Sequence, residues 1–445
     1  MQSRLLVFGV LTSILGGCTS IPKDYSVQLD EWQRLAPGFE HPESWNAPDS
    51  ASYSSWRQEA ITNNPQARSK WQLWRAAIEQ VPQVTALADP KLNLGVFLQE
   101  LETRNGPAQG KLGLNQSFPW FGTLDARGRA ALSMADAAHH ELNAVYFQLE
   151  AELQVVVSQK QLLESSIAIK RAHLELLSAG EEIVRIRWRD GQANQALLVK
   201  AQVELAKTED QLRTLDHRHR PLDALLRAVL GRDSQAPIEW PEQSLEVAGI
   251  DLEVFISPVG SPLLAAARSR LAAGKASLLA AEKGLMPGFS LGLEWTTIGS
   301  DPALGSGSGD DAVAIGVGIE IPLRQAPRRA RVSAARAKLA AAAADLSATE
   351  QQLRADFESL LFEREDAASR LALYRDGLVS KGNQAVTTAL AAYRTGEGSF
   401  ISYLDAARSL LVFELAQARA ESELTSANAR ILALCGIRSS LLATK

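Results

Sequence analysis

The sequence predicts an α+β membrane protein made of two tandem repeats, each joining a β-hairpin to long antiparallel coiled-coil helices. Three observations predict it. Landmark residues recur about 200 positions apart. Four short segments alternate apolar residues with small or polar ones. Two long stretches, between Pro119 and Pro221 and after Pro327, hold helix formers and no proline. The 445 residues are 46% hydrophobic and 22% charged, enough to bury a core and unlike a disordered chain. The 46 basic and 51 acidic side chains leave a net charge of −5, so nucleic-acid binding lacks its electrostatic drive and no nucleic-acid partner is expected. Two cysteines exclude a disulfide framework.

The first 17 residues read as a signal peptide. Arg4 precedes the mostly apolar run Leu5 to Leu15, about 11 residues and too short to span a bilayer. The following Gly16-Gly17-Cys18 resembles a bacterial lipobox, which implies lipid attached covalently to Cys18. Thr19, rather than Asp, in the next position implies sorting to the outer membrane. Residues 18–50 are then an anchored N-terminal tail. No later stretch has 18 consecutive apolar residues, so no transmembrane helix is expected.

Repeat 1 spans 51–231 and repeat 2 spans 261–436, with a connector at 232–260 and a tail at 437–445. Asn64-Pro65 matches Ser261-Pro262, and Pro90 matches Pro287, both 197 residues on. Pro119 matches Pro322 at 203, and Gly191 matches Gly396 at 205. The change of offset lies between Gly95 and Pro119, so one loop is longer in repeat 2.

Strands are expected at about 91–100, 111–119, 288–296 and 312–322. In the first, Leu92, Leu94, Val96 and Leu98 alternate with Asn93, Gly95, Phe97 and Gln99. In the last, Val313, Ile315, Val317 and Ile319 alternate with Ala314, Gly316, Gly318 and Glu320. Glu102–Gly110 and Gly299–Asp311 read as loops. One apolar and one polar face, over 9–10 residues, is the pattern of a membrane barrel with a wet lumen. Trp120, Phe121 and Trp295 sit where an interfacial aromatic belt belongs. Four strands cannot enclose water, and open edges are forbidden in lipid. Several chains must share a barrel, and three would give twelve strands.

The helices are expected at Ala51–Thr85, Leu124–Arg189, Gln192–Leu230, Leu263–Gly284 and Ser399–Leu434, with a further run after Pro327. The 66 residues from Leu124 to Arg189 span about 100 Å as helix, a length typical of coiled coils in soluble parts.

With these pieces in place, the sequence resembles the TolC-like outer-membrane efflux duct family over residues 30–437. The resemblance rests on Asp89-Pro90, on Gln116-Ser117-Phe118-Pro119-Trp120-Phe121-Gly122, and on the turns Trp188-Arg189-Asp190-Gly191 and Tyr393-Arg394-Thr395-Gly396. It implies a homotrimeric twelve-stranded barrel in outer-membrane lipid, continued by a helical tunnel through the periplasm. It implies a passive duct exporting small molecules or metal ions, delivered by a periplasmic adaptor and an inner-membrane pump of resistance-nodulation-division type. Arg189, Gly191, Tyr393, Arg394 and Gly396 would form the tip that gates and meets the adaptor. Pro119, Trp120, Phe121, Gly122 and Pro322 would join barrel to helices. Asp405, in Tyr403-Leu404-Asp405-Ala406, matches an acidic constriction position, and three copies would make a cation-selective carboxylate ring. The Asp-Pro and Pro-Trp-Phe-Gly elements look most like the heavy-metal and cation branch. Thr123 stands where the family often has Lys, and Leu197 and Ser402 where some members have Asp.

No catalytic chemistry is legible. There is no phosphate-binding G-x-x-x-x-G-K-[ST], no H-E-x-x-H and no G-x-S-x-G. His139-His140 and His217-x-His219 lack the spacing of a helical zinc pair. No enzyme activity, no metal and no cofactor beyond the lipid on Cys18 is expected. Polypeptide secretion through a similar duct, and a non-channel coiled-coil envelope lipoprotein, remain the alternatives.

Overall fold

The computed structural model describes residues 21–40, 52–240, 257–300 and 308–438. The leader, Cys18, Thr19, most of the connector, residues 301–307 and the last seven residues lie outside them. Among the described residues, ten α-helices and four strands follow in order. They are α1 Asp24–Glu40, α2 Tyr53–Asn63, α3 Pro65–Thr85, β1 Lys91–Thr103, β2 Gly106–Phe118, α4 Thr123–Arg189, α5 Gln195–His217 and α6 His219–Leu230. Then come α7 Pro262–Lys283, β3 Gly288–Ile298, β4 Ala312–Glu320, α8 Gln325–Leu373, α9 Val379–Thr395 and α10 Phe400–Cys435.

The strands make one antiparallel sheet in the order β1-β2-β3-β4, so the hairpins of the two repeats lie side by side. The first hairpin is longer than expected. The anticipated loop Glu102–Gly110 is mostly strand, with Leu101 paired to Ala108 and Glu102 to Pro107. Arg104 and Asn105 make the turn between the paired Thr103 and Gly106, Gly106 takes φ 126°, and the Thr103 hydroxyl donates to the Gly106 carbonyl at 2.6 Å. The extra residues are absorbed by an irregularity between Val96 and Leu101.

Several helical expectations also need correction. The N-terminal tail holds α1, 17 residues long. The run 51–85 is two helices, broken at Asn64, whose ψ of 126° is what a residue before proline requires. The run 192–230 breaks at Arg218. The run after Pro327 carries a π-helical turn, Tyr374–Leu378, between α8 and α9.

The described residues form two compact units. The first holds 21–35, 72–139, 265–300 and 308–348, and the second holds the rest. In the first, α1 is tied down by aromatic and amide contacts. The Trp74 indole donates to Gln28 Oε1 at 3.3 Å, Gln28 donates to Asp136, and the Arg75 guanidinium lies 4.3 Å over the Trp32 ring. In the second unit, Trp56, Leu153, Val157, Leu226 and Leu230 form one buried cluster. Beside it Arg232 makes a bidentate pair with buried Glu59, at 2.5 and 2.8 Å. Losing one partner of such a pair costs more than the pair contributes.

The tandem design recurs in the helix ends. Gly231 closes α6 at φ 70° and Gly436 closes α10 at φ 69°. Each lies on the start of a helix, Gly231 against Asn63–Asn64 and Gly436 against Pro262, so close that a Cβ would meet backbone or ring atoms within 3 Å. The Asn64 amide donates to the Ala228 and Val229 carbonyls at 3.2 and 3.0 Å, capping α6.

Candidate functional site

The sheet has two unlike faces, set by period-2 alternation. Paired rows run across all four strands. Leu92, Leu114, Leu293 and Ile315 form one row, and Leu94, Leu112, Trp295 and Val313 the next. Phe118, Phe289 and Ile319 extend the same face at its helix-proximal end. The opposite face carries Asn93, Lys111, Asn115, Ser117, Ser290, Glu294 and six glycines. There Lys111 pairs with Glu294 at 2.5 Å.

The apolar face is exposed, with Leu94 at 79% and Ile315 at 76%. Each such side chain forgoes roughly 1.5–3 kcal/mol if left in water. A monomer in water rarely exposes an apolar surface this continuous. The outer edges of β1 and β4 have no strand beside them among the described residues. Edges of this kind are excluded from lipid unless another chain pairs with them. No described helix is long and apolar enough to cross a membrane.

The expected junction residues meet beneath this sheet. Trp120 and Phe121 lie 5.6 and 5.5 Å from the Phe289 ring, extending the apolar face. Gly122 takes φ 74°, which turns the chain into α4. The Lys283 ammonium donates to the Phe121 carbonyl at 3.2 Å. On the other repeat, Gln325 donates to the Pro322 carbonyl at 2.7 Å at the start of α8.

The two helix–helix turns are built alike. Gly191 at φ 71° and Gly396 at φ 89° close α4 and α9. Three residues further on, Asn194 caps α5 by accepting from the Ala196 amide at 2.8 Å, and Ser399 caps α10 by accepting from the Ser402 amide at 3.1 Å. Arg187 joins the turns. Its guanidinium lies 4.6 Å over the Tyr393 ring and donates to the Arg394 carbonyl at 3.0 Å. Tyr393 is buried against Phe400, ring centroids 5.4 Å apart, and its hydroxyl has no hydrogen-bond partner among the described residues. Arg189 and Arg394 are exposed.

Asp405 lies on the first turns of α10, exposed, with Arg408 at 3.4 Å. Arg408 pairs more closely with Glu204 of α5, at 2.5 Å. That hydrogen bond holds the Glu204 carboxyl below its ordinary range. His173, buried nearby in charge terms, is pushed down by burial and by Lys170.

Sequence reasoning missed Arg187, Glu204, Arg408 and Gly180. Gly180 is where α4 admits two rings of α10, since a Cβ there would lie 2.6 Å from Tyr403 and 3.3 Å from Phe400. The Tyr403 hydroxyl donates to the Leu176 carbonyl at 2.6 Å. A glycine inside a long helical run was the only available signal. The two histidine pairs are occupied otherwise: His139 stacks on Trp74 at 4.3 Å, and His219 meets Lys160 at 3.0 Å. Among the described residues no group of three or more His, Cys, Asp or Glu is placed to hold a metal.

Comparison with known proteins matches residues 56–232 and 259–437 to the family model of the outer membrane efflux protein. The chain is 26% identical over 335 residues to the pyoverdine export outer membrane protein OpmQ of Pseudomonas putida, covering 71% of this chain and 68% of that one. Its fold matches the outer membrane protein VceC of Vibrio cholerae with a TM-score of 0.71, at 20% identity, over 86% of this chain and 96% of the other. It matches CusC, described as forming a transmembrane channel, with a TM-score of 0.72 at 19% identity, over 88% and 94%.

Proposed function

The chain belongs to the outer membrane efflux protein family, and from that membership we propose that three copies form a passive export duct across the outer membrane. The observation that carries this is the four-stranded sheet, apolar on one exposed face, polar on the other and, among the described residues, unpaired at both edges. Three such sheets give twelve strands, enough for a barrel with an aqueous lumen. The apolar rows face lipid and the Lys111–Glu294 face lines the lumen. The helical part extends into the periplasm, where the Gly191 and Gly396 turns form a tip that meets an adaptor. An inner-membrane pump supplies the energy, and lipid on Cys18 anchors each copy.

Opening in this scheme moves the elements that Arg187 ties together, α4 and α9. Asp405 forms a ring of three carboxylates near the tip, which favours cations. The cargo is a small molecule or metal ion. OpmQ, named for pyoverdine export, supports the small-molecule class over the polypeptide alternative.

The test is conductance of the purified protein in planar lipid bilayers, wild type beside Asp405→Ala. Discrete cation-preferring channels, with selectivity lowered in Asp405→Ala, are expected. Channels indifferent to the substitution remove the Asp405 ring and keep the duct. An oligomer that conducts nothing, even after Arg187→Ala frees the turns, returns the protein to the scaffold alternative.

A further inference from the structure

The helical segments of repeat 2 that flank β3 and β4 concentrate positive charge in a chain whose net charge is −5. Pro262–Gly284 and Ile321–Ala344 hold ten basic side chains and one acidic, Glu282. The seam between α7 and α8 sorts them. On α8 the seam runs through buried Val332 and through Leu339, which lies 3.3 Å from where a Cβ on Gly274 would sit. At about 3.6 residues per turn, Arg328, Arg331 and Lys338 fall to one side of it, and Arg329 and Arg336 to the other.

Arg328 shows which side that is. Its guanidinium donates to the Gly284 carbonyl at 2.7 Å and lies 3.7 Å from Glu320. Glu320 belongs to the polar face of the sheet, over Gly288, where a Cβ would lie 3.5 Å from the carboxylate. Arg331 and, from α4, Arg127 line one cavity of about 140 Å³ with Arg328, Ala280, Ala281 and Gly284. Arg127 and Arg331 are exposed and have no ion pair among the described residues. The nearby Asp125 is taken by Arg129 at 2.6 Å.

Like charges gathered this way repel one another until an anion joins them. Guanidinium groups bind carboxylate oxygens in pairs, and the small residues between them leave room for the anion. A cleft lined by one sign of charge also focuses its field and concentrates the opposite sign. The cavity is smaller than the roughly 300–1,000 Å³ of a pocket that encloses a ligand, so it fits one charged end of a larger molecule. Exposure keeps the hold weak enough for release, which conduction requires.

We propose that Arg127 and Arg331, beside an Arg328 held by Gly284 and Glu320, form a station on the lumen wall that binds organic polycarboxylates in transit. The station rests on the duct reading, with the polar face of the sheet toward the lumen. Arg127 and Arg331 close on one carboxylate, and Lys338 continues the cationic stripe along α8. Three copies around one axis present three stations to a molecule that carries several carboxylates. Asp405 filters small ions at the tip, whereas the station holds large anions by several charges at once.

The test is calorimetric titration of the full-length oligomer at low salt with citrate, a tricarboxylate, and with acetate. Arg127→Gln/Arg331→Gln and Arg329→Gln/Arg336→Gln stand beside wild type, the second pair removing equal charge from the other side of the seam. Wild type should bind citrate saturably and acetate far more weakly. The first variant should bind citrate about tenfold more weakly, the expectation for two partly solvated charge-assisted contacts. The second should match wild type. Equal weakening in both variants reduces the effect to net charge and overturns the site, as does a first variant that binds like wild type. An oligomer lost in the first variant also overturns it, since the arginines then join copies of the chain. In planar bilayers citrate should block the wild-type current, and the first variant should relieve the block. A channel that citrate never blocks puts the arginines off the lumen wall and overturns the site. A protein that binds citrate through Arg127 and Arg331 yet conducts nothing, even with Arg187→Ala, supports the anion site and sinks the duct reading.

Discussion

Replacing Ile315 with lysine separates a lipid-facing sheet from one in water by the sign of its effect. Ile315 is 76% exposed in one copy and stands in the middle of β4, in the row it shares with Leu293, Leu114 and Leu92. If the row faces hydrocarbon, a lysine near the midplane costs about 2–4 kcal/mol per copy. In a barrel of three copies that becomes about 6–12 kcal/mol per assembly. If the row faces water, the change is a surface substitution worth within ~0.5 kcal/mol and should improve solubility. Ala314→Lys is the matched control. It sits on the other, polar face, opposite Glu294, which Lys111 already neutralises, so the added cation stays in water. The assay is urea-titrated folding into lipid vesicles, read by the heat-resistant oligomer and by protease protection. Ile315→Lys should shift the midpoint far down while Ala314→Lys leaves it nearly unchanged. Equal midpoints for the two variants would refute the assignment of faces.

Two further outcomes follow from the second unit. Gly180→Ala gains helix propensity of about 1 kcal/mol but drives a Cβ to 2.6 Å from Tyr403, an overpacking cost of about 1–3 kcal/mol, whereas Gly377→Ala meets nothing within 4 Å. Gly377→Ala should therefore raise the urea midpoint and Gly180→Ala should not, with faster amide exchange around Leu176; equal gains would mean the rings do not press on α4. Arg408 holds the Glu204 carboxyl below its ordinary 4.5, so this pair's contribution is present above that pH and lost as pH falls through the lowered value. Glu204→Gln should cost about 1–3 kcal/mol at pH 7 and flatten the acid end of the stability profile, and a variant parallel to wild type from pH 7 to 3 would contradict it.

What the sequence disclosed was what local pattern controls. Alternation in β1 to β4 marked both faces of the sheet, because a strand's side chains must alternate. Gly191 and Gly396 marked the two turns, because a left-handed helix end favours glycine. What it concealed was set by distance along the chain. Arg408 and Glu204 lie 204 residues apart, and Arg187 and Arg394 lie 207 apart. No spacing rule links residues that meet only when repeat 1 packs on repeat 2. The first hairpin was shortened because Asn105-Gly106-Pro107 reads as a long loop, while Arg104 and Asn105 alone make the turn before a left-handed Gly106. The helix α1 was missed because Pro37 and a polar composition argue against it, and its stability comes from Trp74 and Asp136 rather than from propensity.

Closure of the sheet by neighbouring copies is tested most directly by cross-linking its two edges in the membrane. Asn93 and Ala314 share one row on the polar face, three strand spacings apart. At ~4.8 Å per spacing that is about 14 Å, beyond the ~7 Å limit for a disulfide within one chain. Asn93→Cys combined in turn with Ala312→Cys, Ala314→Cys and Gly316→Cys can therefore bridge only between copies. At least one pair should yield a covalent species of three chains and nothing larger. An oligomer with no cross-link from any pair, or a ladder ending at two or four chains, would contradict the twelve-stranded barrel.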